Sequence, residues 1–463
     1  LFKLGATLFT HEIMLRSINP YDQSLIAEFP FDTPGQVTAK IEKAAKAFSS
    51  WKKESFAQRA ALLKKAGELV RKNKESYARI ISTEMGKIVE ESRHELEKCA
   101  IACNYFAERA EGYLKDTIIV TEASKSYVCY QPLGPVLAIM PWNFPMWQVF
   151  RFAAPSLMAG NVGLLKHAAN VTQCALIIEK IFLEAGFPEG VFQSLLIDSK
   201  DVEAVIAHDA IHAVTLTGSE YAGTKVASAA GRYLKKSVLE LGGSDPFIVL
   251  EDADLELAAT VATQSRMRNA GQSCIAAKRF IVVPKIKDEF IQRFQQKVTA
   301  LRQGDQFNPQ IDMGPMARLD LAEQLERQLQ KSLQQGASIL MGGNRKGANF
   351  QPTLIDGVKP GMVAFEEEMF GPVAAIIHAK DDREAVTLAN NSRFGLGASV
   401  WTNDKERGER IALQLESGSV FVNALMKSDQ RLPFGGIKKS GYGRELAEMG
   451  IKEFVNAKTI SIQ

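Results

Sequence analysis

At 463 residues the chain exceeds the size at which one hydrophobic core keeps growing, and its 46% hydrophobic and 24% charged residues exclude disordered and collagen-like classes. A net charge of +3 over scattered Lys and Arg leaves no nucleic-acid footprint, and no apolar run approaches the ~20 residues that cross a bilayer. Five cysteines (Cys99, Cys103, Cys129, Cys174 and Cys274) argue for a reducing compartment, read as cytoplasmic, and leave a small molecule as the expected partner.

Residues 1 to about 13 read as an extension ahead of Met14, because His11 and Glu12 cut the apolar stretch short and no small-residue cleavage site follows. After a first short strand pattern, Thr33-Pro34 predicts a helix start, with Val37, Ile41, Ala44, Phe48 and Trp51 at helical spacing. Amphipathic helices follow over about 56–72, 75–85 and 89–110. Cys99 and Cys103 share a face of the last one, and without further His or Cys nearby they read as core, so no metal site is expected. Residues 117–121 and 126–130 alternate in the β manner around 122–125, which predicts a projecting hairpin.

From Pro135 to Leu241 apolar strands at 135–140, 162–165, 192–197, 213–217 and 237–241 alternate with helical stretches. This is the pattern of parallel βαβ units, whose ligands sit at the carboxyl ends of the strands. Asn143, Lys166, Gly218-Ser219 and Glu240 all occupy such ends. A second α/β pattern, with strands near 246–250, 279–283, 373–377, 397–401 and 419–423, continues to about residue 445. The break at Gly242-Gly243 marks the boundary between the two.

One cysteine stands apart. A helical run through Leu255, Ala259, Ala262 and Ser265 is expected to close at Gly271, and Cys274 follows on the loop, where rigid scaffold holds a thiol within reach of a substrate. Glu240, between Leu239 and Leu241 in an apolar strand, is costly to bury unless used or paired, and it suits a general base. The G-x-G-x-x-G fingerprint is absent. Gly218-Ser219 instead follows a strand and opens a helix, whose N–H groups can face a pyrophosphate.

In fixed order along the chain stand Pro141-Trp142-Asn143-Phe144-Pro145, Leu239-Glu240-Leu241-Gly242-Gly243, Gly271-Gln272-Ser273-Cys274 and Glu368-Met369-Phe370-Gly371-Pro372. Together they resemble the signature set of the aldehyde dehydrogenase superfamily, over nearly the whole chain from about Ser17. The resemblance implies an α/β fold with three parts. These are a Rossmann-like cofactor domain (14–114 and 132–241), an α/β catalytic domain (242–445), and an oligomerisation arm (115–131 and 446–463) that makes a homodimer or homotetramer.

It implies Cys274 as nucleophile, Asn143 with the Cys274 N–H as oxyanion donors, and Glu240 as the base for thioester hydrolysis. NADP or NAD would meet Trp142, Lys166, Gly218, Ser219, Glu368 and Phe370. Arg151, Arg268 and Ser428 resemble the succinate-semialdehyde branch, in which paired guanidinium forks hold a distal carboxylate. Glutarate semialdehyde and other short aldehydes remain open as substrates. A CoA-acylating dehydrogenase is an alternative that has no use for Glu240, and a cofactor-free cysteine hydrolase is one that lacks a histidine positioned by motif. Serine stands at 244, where the family has lysine, which leaves the electrostatics beside Glu240 open.

Overall fold

The computed structural model describes residues 14–463; the stretch 1–13, expected as an extension, lies outside them. The predicted helix starts are built from local chemistry. Thr33 caps the helix Pro34–Trp51 by accepting from the Gln36 N–H while the Gln36 side chain accepts from the Thr33 N–H. Ser55 and Gln58 repeat the capping box for Phe56–Lys72, so two orphan amides are satisfied at each start. The helix Val89–Tyr113 runs longer than expected, and Cys99 and Cys103 are buried in its core-facing side.

A six-stranded sheet has the order Gly441–Tyr442, Lys236–Glu240, Ala213–Thr217, Pro135–Met140, Val162–His167, Phe192–Ser194. Its last five members are parallel and Gly441–Tyr442 runs antiparallel at one edge. The chain leaves Pro135–Met140 towards Val162–His167 on one side and returns to Ala213–Thr217 on the other. The order therefore reverses at the carboxyl end of Pro135–Met140, the crevice where open α/β sheets bind ligands. Trp142 and Asn143 follow that strand.

A seven-stranded sheet has the order Ser338–Met341, Thr353–Asp356, Val373–His378, Ala277–Val282, Asp245–Val249, Gly397–Trp401, Ser419–Val422, parallel except for its first edge pair. Two hydrophobic cores accompany the sheets. One runs from Ile41 to Leu241 and takes in Met426, Phe434 and Leu446 from the C-terminal region; the other runs from Phe247 to Leu415. The hairpin strands Thr117–Ile119 and Lys125–Pro132 pair as expected, and Val455–Ile462 adds to the far side of Lys125–Pro132 as a third strand. Ile118, Val120 and Ile462 are exposed on this unit. No helix among the described residues is long and apolar enough to cross a membrane.

Candidate active site

The turn that carries Asn143 is held from below. The helix Trp147–Ala159 has no side-chain cap of its own. Its first amides, Met146 N–H and Trp147 N–H, donate instead to Glu95 Oε1 at 2.8 and 3.0 Å. The other oxygen of that buried carboxylate pairs with Lys87 at 2.5 Å, and the Lys87 ammonium lies 3.8 Å from the centre of the Phe144 ring. An acid at a helix N-terminus with its own counter-cation fixes the turn by satisfying amides that would otherwise be orphaned. His167 fastens the other end. Its Nε2 lies 2.9 Å from Pro145 O, and its Nδ1 lies 3.2 Å from Met140 O and 2.9 Å from the Ala168 N. Burial keeps this imidazole neutral, with its pKa lowered to about 4.

The loop that leads to Cys274 departs from the expected geometry. The helix Leu255–Met267 stops well before Gly271, and Asn269, Ala270 and Gly271 then take φ values of 55°, 50° and 72° in succession. Two non-glycine residues in the left-handed region are costly and persist only when the surroundings over-determine them. Here they do: the Asn269 N–H donates to both Glu91 oxygens, and Asn269 Nδ2 donates to Asn143 O and Gln272 O. The loop that leads to Cys274 and the turn that carries Asn143 are thereby tied to each other. Asn143 Nδ2 itself donates to Gln272 O at 3.1 Å, and the Cys274 N–H has no hydrogen-bond partner among the described residues.

Cys274 lies where two cavities meet. The larger, about 1010 Å³, is lined by Trp142, Asn143, Gly218, Ser219, Glu368 and Phe370 among others, and reaches Cys274. The smaller, about 140 Å³, is lined by Arg151, Arg268, Ser428, Trp147 and Lys98, and reaches Cys274 from the other side. The arrangement fits a dinucleotide in the larger cavity. Ser219 caps the helix Glu220–Arg232, whose first turn opens on the cavity, and a Cβ on Gly223 would come within 2.6 Å of Leu241, so the helix packs closely on the strand end. Trp142 and Phe370 meet edge to face at 5.8 Å. Lys166 departs from expectation. It stands at the end of its strand but outside the residues lining this cavity, with its pKa lowered by burial and Asp198 opposing that shift.

Burial pushes the Cys274 thiol up to about 12, against the pull of Arg151 and Lys278 towards the thiolate. Lys278 was not legible as a site residue. Its fully buried ammonium donates to Ser273 O and Cys274 O at 2.9 and 2.7 Å and pairs with Glu368 at 3.2 Å, while Glu368 also accepts from the Gly243 N–H. A cation thus stands beside the nucleophile loop although residue 244 is serine. The sequence signal was a lysine inside the apolar strand Ala277–Val282.

Glu240 is buried, with neither carboxylate oxygen hydrogen-bonded among the described residues, and a Cβ on Gly435 would lie 2.6 Å from its Oε1. It does not line either cavity. Burial and the neighbouring Glu445 raise its proton affinity well above that of an ordinary carboxylate, and Arg151 and Arg444 oppose this. Glu445, also missed in the sequence, alters the expected clamp of two free arginines. Arg151 is ion-paired to Glu445 through Nε and donates to Thr217 through Nη2. Arg268 instead is half exposed, with Glu91 4.0 Å away. Ser428 lines the smaller cavity.

A model of the aldehyde dehydrogenase family matches residues 10–460. The chain is 49% identical over 451 residues to a probable succinate-semialdehyde dehydrogenase [NADP(+)] of Synechocystis sp., covering 97% of this chain and 99% of that protein. It is 45% identical to the succinate semialdehyde dehydrogenase [NAD(P)+] Sad of Escherichia coli, covering 97% and 98%. Among solved structures, succinic semialdehyde dehydrogenase of Streptococcus pyogenes in complex with NADP+ superposes with a TM-score of 0.95 at 36% identity, covering 96% of this chain and 99% of that one.

Proposed function

The chain belongs to the aldehyde dehydrogenase family, and we propose that it oxidises succinate semialdehyde to succinate with NADP or NAD through a thioester on Cys274. The carrying observation is Cys274 at the junction of a dinucleotide-sized cleft and a small cation-lined cavity. An aldehyde with a carboxylate at its far end, placed in the small cavity, presents its carbonyl carbon to the thiol and its charge to Arg268 and Ser428.

The Cys274 thiol gives up its proton to water, with Arg151 and Lys278 aiding the thiolate against the effect of burial, and the sulfur adds to the carbonyl and forms a C–S bond. The resulting oxyanion is met by Asn143 Nδ2 and the Cys274 N–H; such preorganised donors are worth about 3 kcal/mol each in other enzymes. Trp142, Ser219, Glu368 and Phe370 are the residues that would hold a nicotinamide dinucleotide in the larger cleft, and that group would supply the hydride acceptor. As the C=O bond re-forms, hydride leaves the tetrahedral carbon and a thioester remains on Cys274. Glu240, turning from Gly435 towards Cys274, takes a proton from water as the water oxygen attacks that thioester; C–S cleavage releases the carboxylate and restores the sulfur. A raised proton affinity suits that task near neutral pH.

We further infer that the three-stranded unit of Thr117–Ile119, Lys125–Pro132 and Val455–Ile462 is an oligomerisation arm, since it leaves Ile118 and Val120 exposed beside an open strand edge. Kinetics on a panel of succinate semialdehyde, glutarate semialdehyde and butanal with both cofactors tests the function. Succinate semialdehyde should give the highest kcat/KM; preference for butanal would overturn the substrate.

A further inference from the structure

We propose that Lys98 is a substrate-binding residue, its ammonium receiving the distal carboxylate of the aldehyde together with Arg268 and the Ser428 hydroxyl; the proposal rests on the substrate reading above. Lys98 reaches the small cavity from the helix Val89–Tyr113, which carries none of the signature motifs. Its Nζ lies 2.7 Å from Ser428 Oγ and 4.0 Å from the Trp147 ring centre. Trp147 Nε1 donates to the same Oγ at 3.1 Å. A hydroxyl oxygen has two acceptor sites and one donor proton. With Trp147 and Lys98 donating to that oxygen, the Ser428 proton must be directed elsewhere, and no acceptor for it stands among the described residues.

Lys98 has no ion-pair partner among the described residues, although carboxylates are near. On its own helix Glu95 is committed to Lys87 and to two helix amides, and Glu91 to the Asn269 amide and Arg268. His94 on the same helix and Lys427 beside Ser428 also line the cavity; Cys99 is the neighbouring thiol, and Arg151 adds charge of the same sign. This end of the cavity is therefore rich in cations and donors and lacks an uncommitted anion. A desolvated ammonium without a counter-ion is unfavourable, and burial, reinforced by Arg151, lowers the Lys98 pKa to about 7. A carboxylate arriving from the substrate supplies the missing partner. Its binding favours the protonated ammonium, so affinity for a carboxylated aldehyde falls as pH rises through the free-enzyme pKa of about 7.

The test compares wild-type, Lys98→Met and Lys98→Arg enzymes on succinate semialdehyde and butanal, with kcat and KM measured across neutrality. Lys98→Met should raise KM for succinate semialdehyde about tenfold with kcat little changed, leave KM for butanal unaltered, and flatten the rise of KM with pH. Lys98→Arg should keep most of the affinity. Equal losses on both aldehydes, or an unchanged KM for succinate semialdehyde in Lys98→Met, would overturn the proposal while a wild-type preference for that substrate left the functional reading standing. A wild-type enzyme indifferent to the distal carboxylate would remove both.

Discussion

Truncating the two arginines one at a time should give opposite kinds of damage, although they line one cavity. Arg268 is half exposed and stands 4.0 Å from Glu91, so Arg268→Ala removes a charge-assisted contact to substrate together with a partly screened counter-charge for the Glu91 carboxylate. Such contacts are worth about 1.5 to 3 kcal/mol, and solvent screening places this one at the lower end, roughly a tenfold loss in kcat/KM. The loss should fall on succinate semialdehyde and spare butanal. Arg151 is buried, paired with Glu445 and close enough to Glu240 to hold its proton affinity down. Arg151→Ala leaves Glu445 uncompensated and forces two buried carboxylates to share one site. Breaking a buried pair costs about 3 to 5 kcal/mol of stability, and the proton affinity of Glu240 should rise further.

Deacylation should then slow on charged and uncharged aldehydes alike. Adding Glu445→Gln to Arg151→Ala should recover part of the stability, because the orphaned charge is gone. The assay is kcat/KM on both aldehydes for each variant, with urea midpoints alongside. A substrate preference that shifts as strongly in Arg151→Ala as in Arg268→Ala would refute this division of labour.

Ala169 stands three residues after Lys166, where NAD-specific relatives often carry a glutamate that accepts hydrogen bonds from the ribose hydroxyls and repels a 2′-phosphate. NADP should therefore be accepted by the wild type, and Ala169→Glu should raise its KM roughly tenfold relative to NAD; equal use of both cofactors by the variant would count against it. His167 has a folded pKa of about 4 against an ordinary value of 6.5, so the unfolded chain binds the extra proton first. Its contribution to stability is complete above pH 6.5 and is lost as pH falls towards 4, amounting to about 2 kcal/mol by pH 5. Denaturant titrations at neutral pH and at pH 5 should show this loss in the wild type and a smaller one in His167→Gln; parallel losses would contradict it.

Much of the fold was legible because it is written in local periodicity. The helix Phe56–Lys72 and the strands Pro135–Met140 and Ala213–Thr217 fall where the apolar spacing places them. The edge strands Ser338–Met341 and Gly441–Tyr442, and Thr353–Asp356 beside the first of them, were missed, being short and defined by partners distant in sequence. The nucleophile loop shows the same limit. Glycine chemistry at Gly271 predicted the turn, whereas left-handed Asn269 and Ala270 depend on Glu91 and Asn143, which no local pattern announces. In the site, motif residues were visible, but the groups that set their charge were not. Glu445, Lys278 and Lys98 come from a C-terminal turn, a strand and an N-terminal helix with no shared motif. Arg151 could be read as a free clamp only while Glu445 was out of view.

The most direct test of covalent chemistry at Cys274 is mass spectrometry of the Glu240→Gln enzyme quenched during a single burst with succinate semialdehyde and NADP. The expected result is one equivalent of reduced cofactor and a succinyl group on the peptide bearing Cys274, accumulating because the thioester cannot be hydrolysed at speed. A full burst with the Cys274 peptide unmodified, or steady turnover by Cys274→Ala, would contradict it.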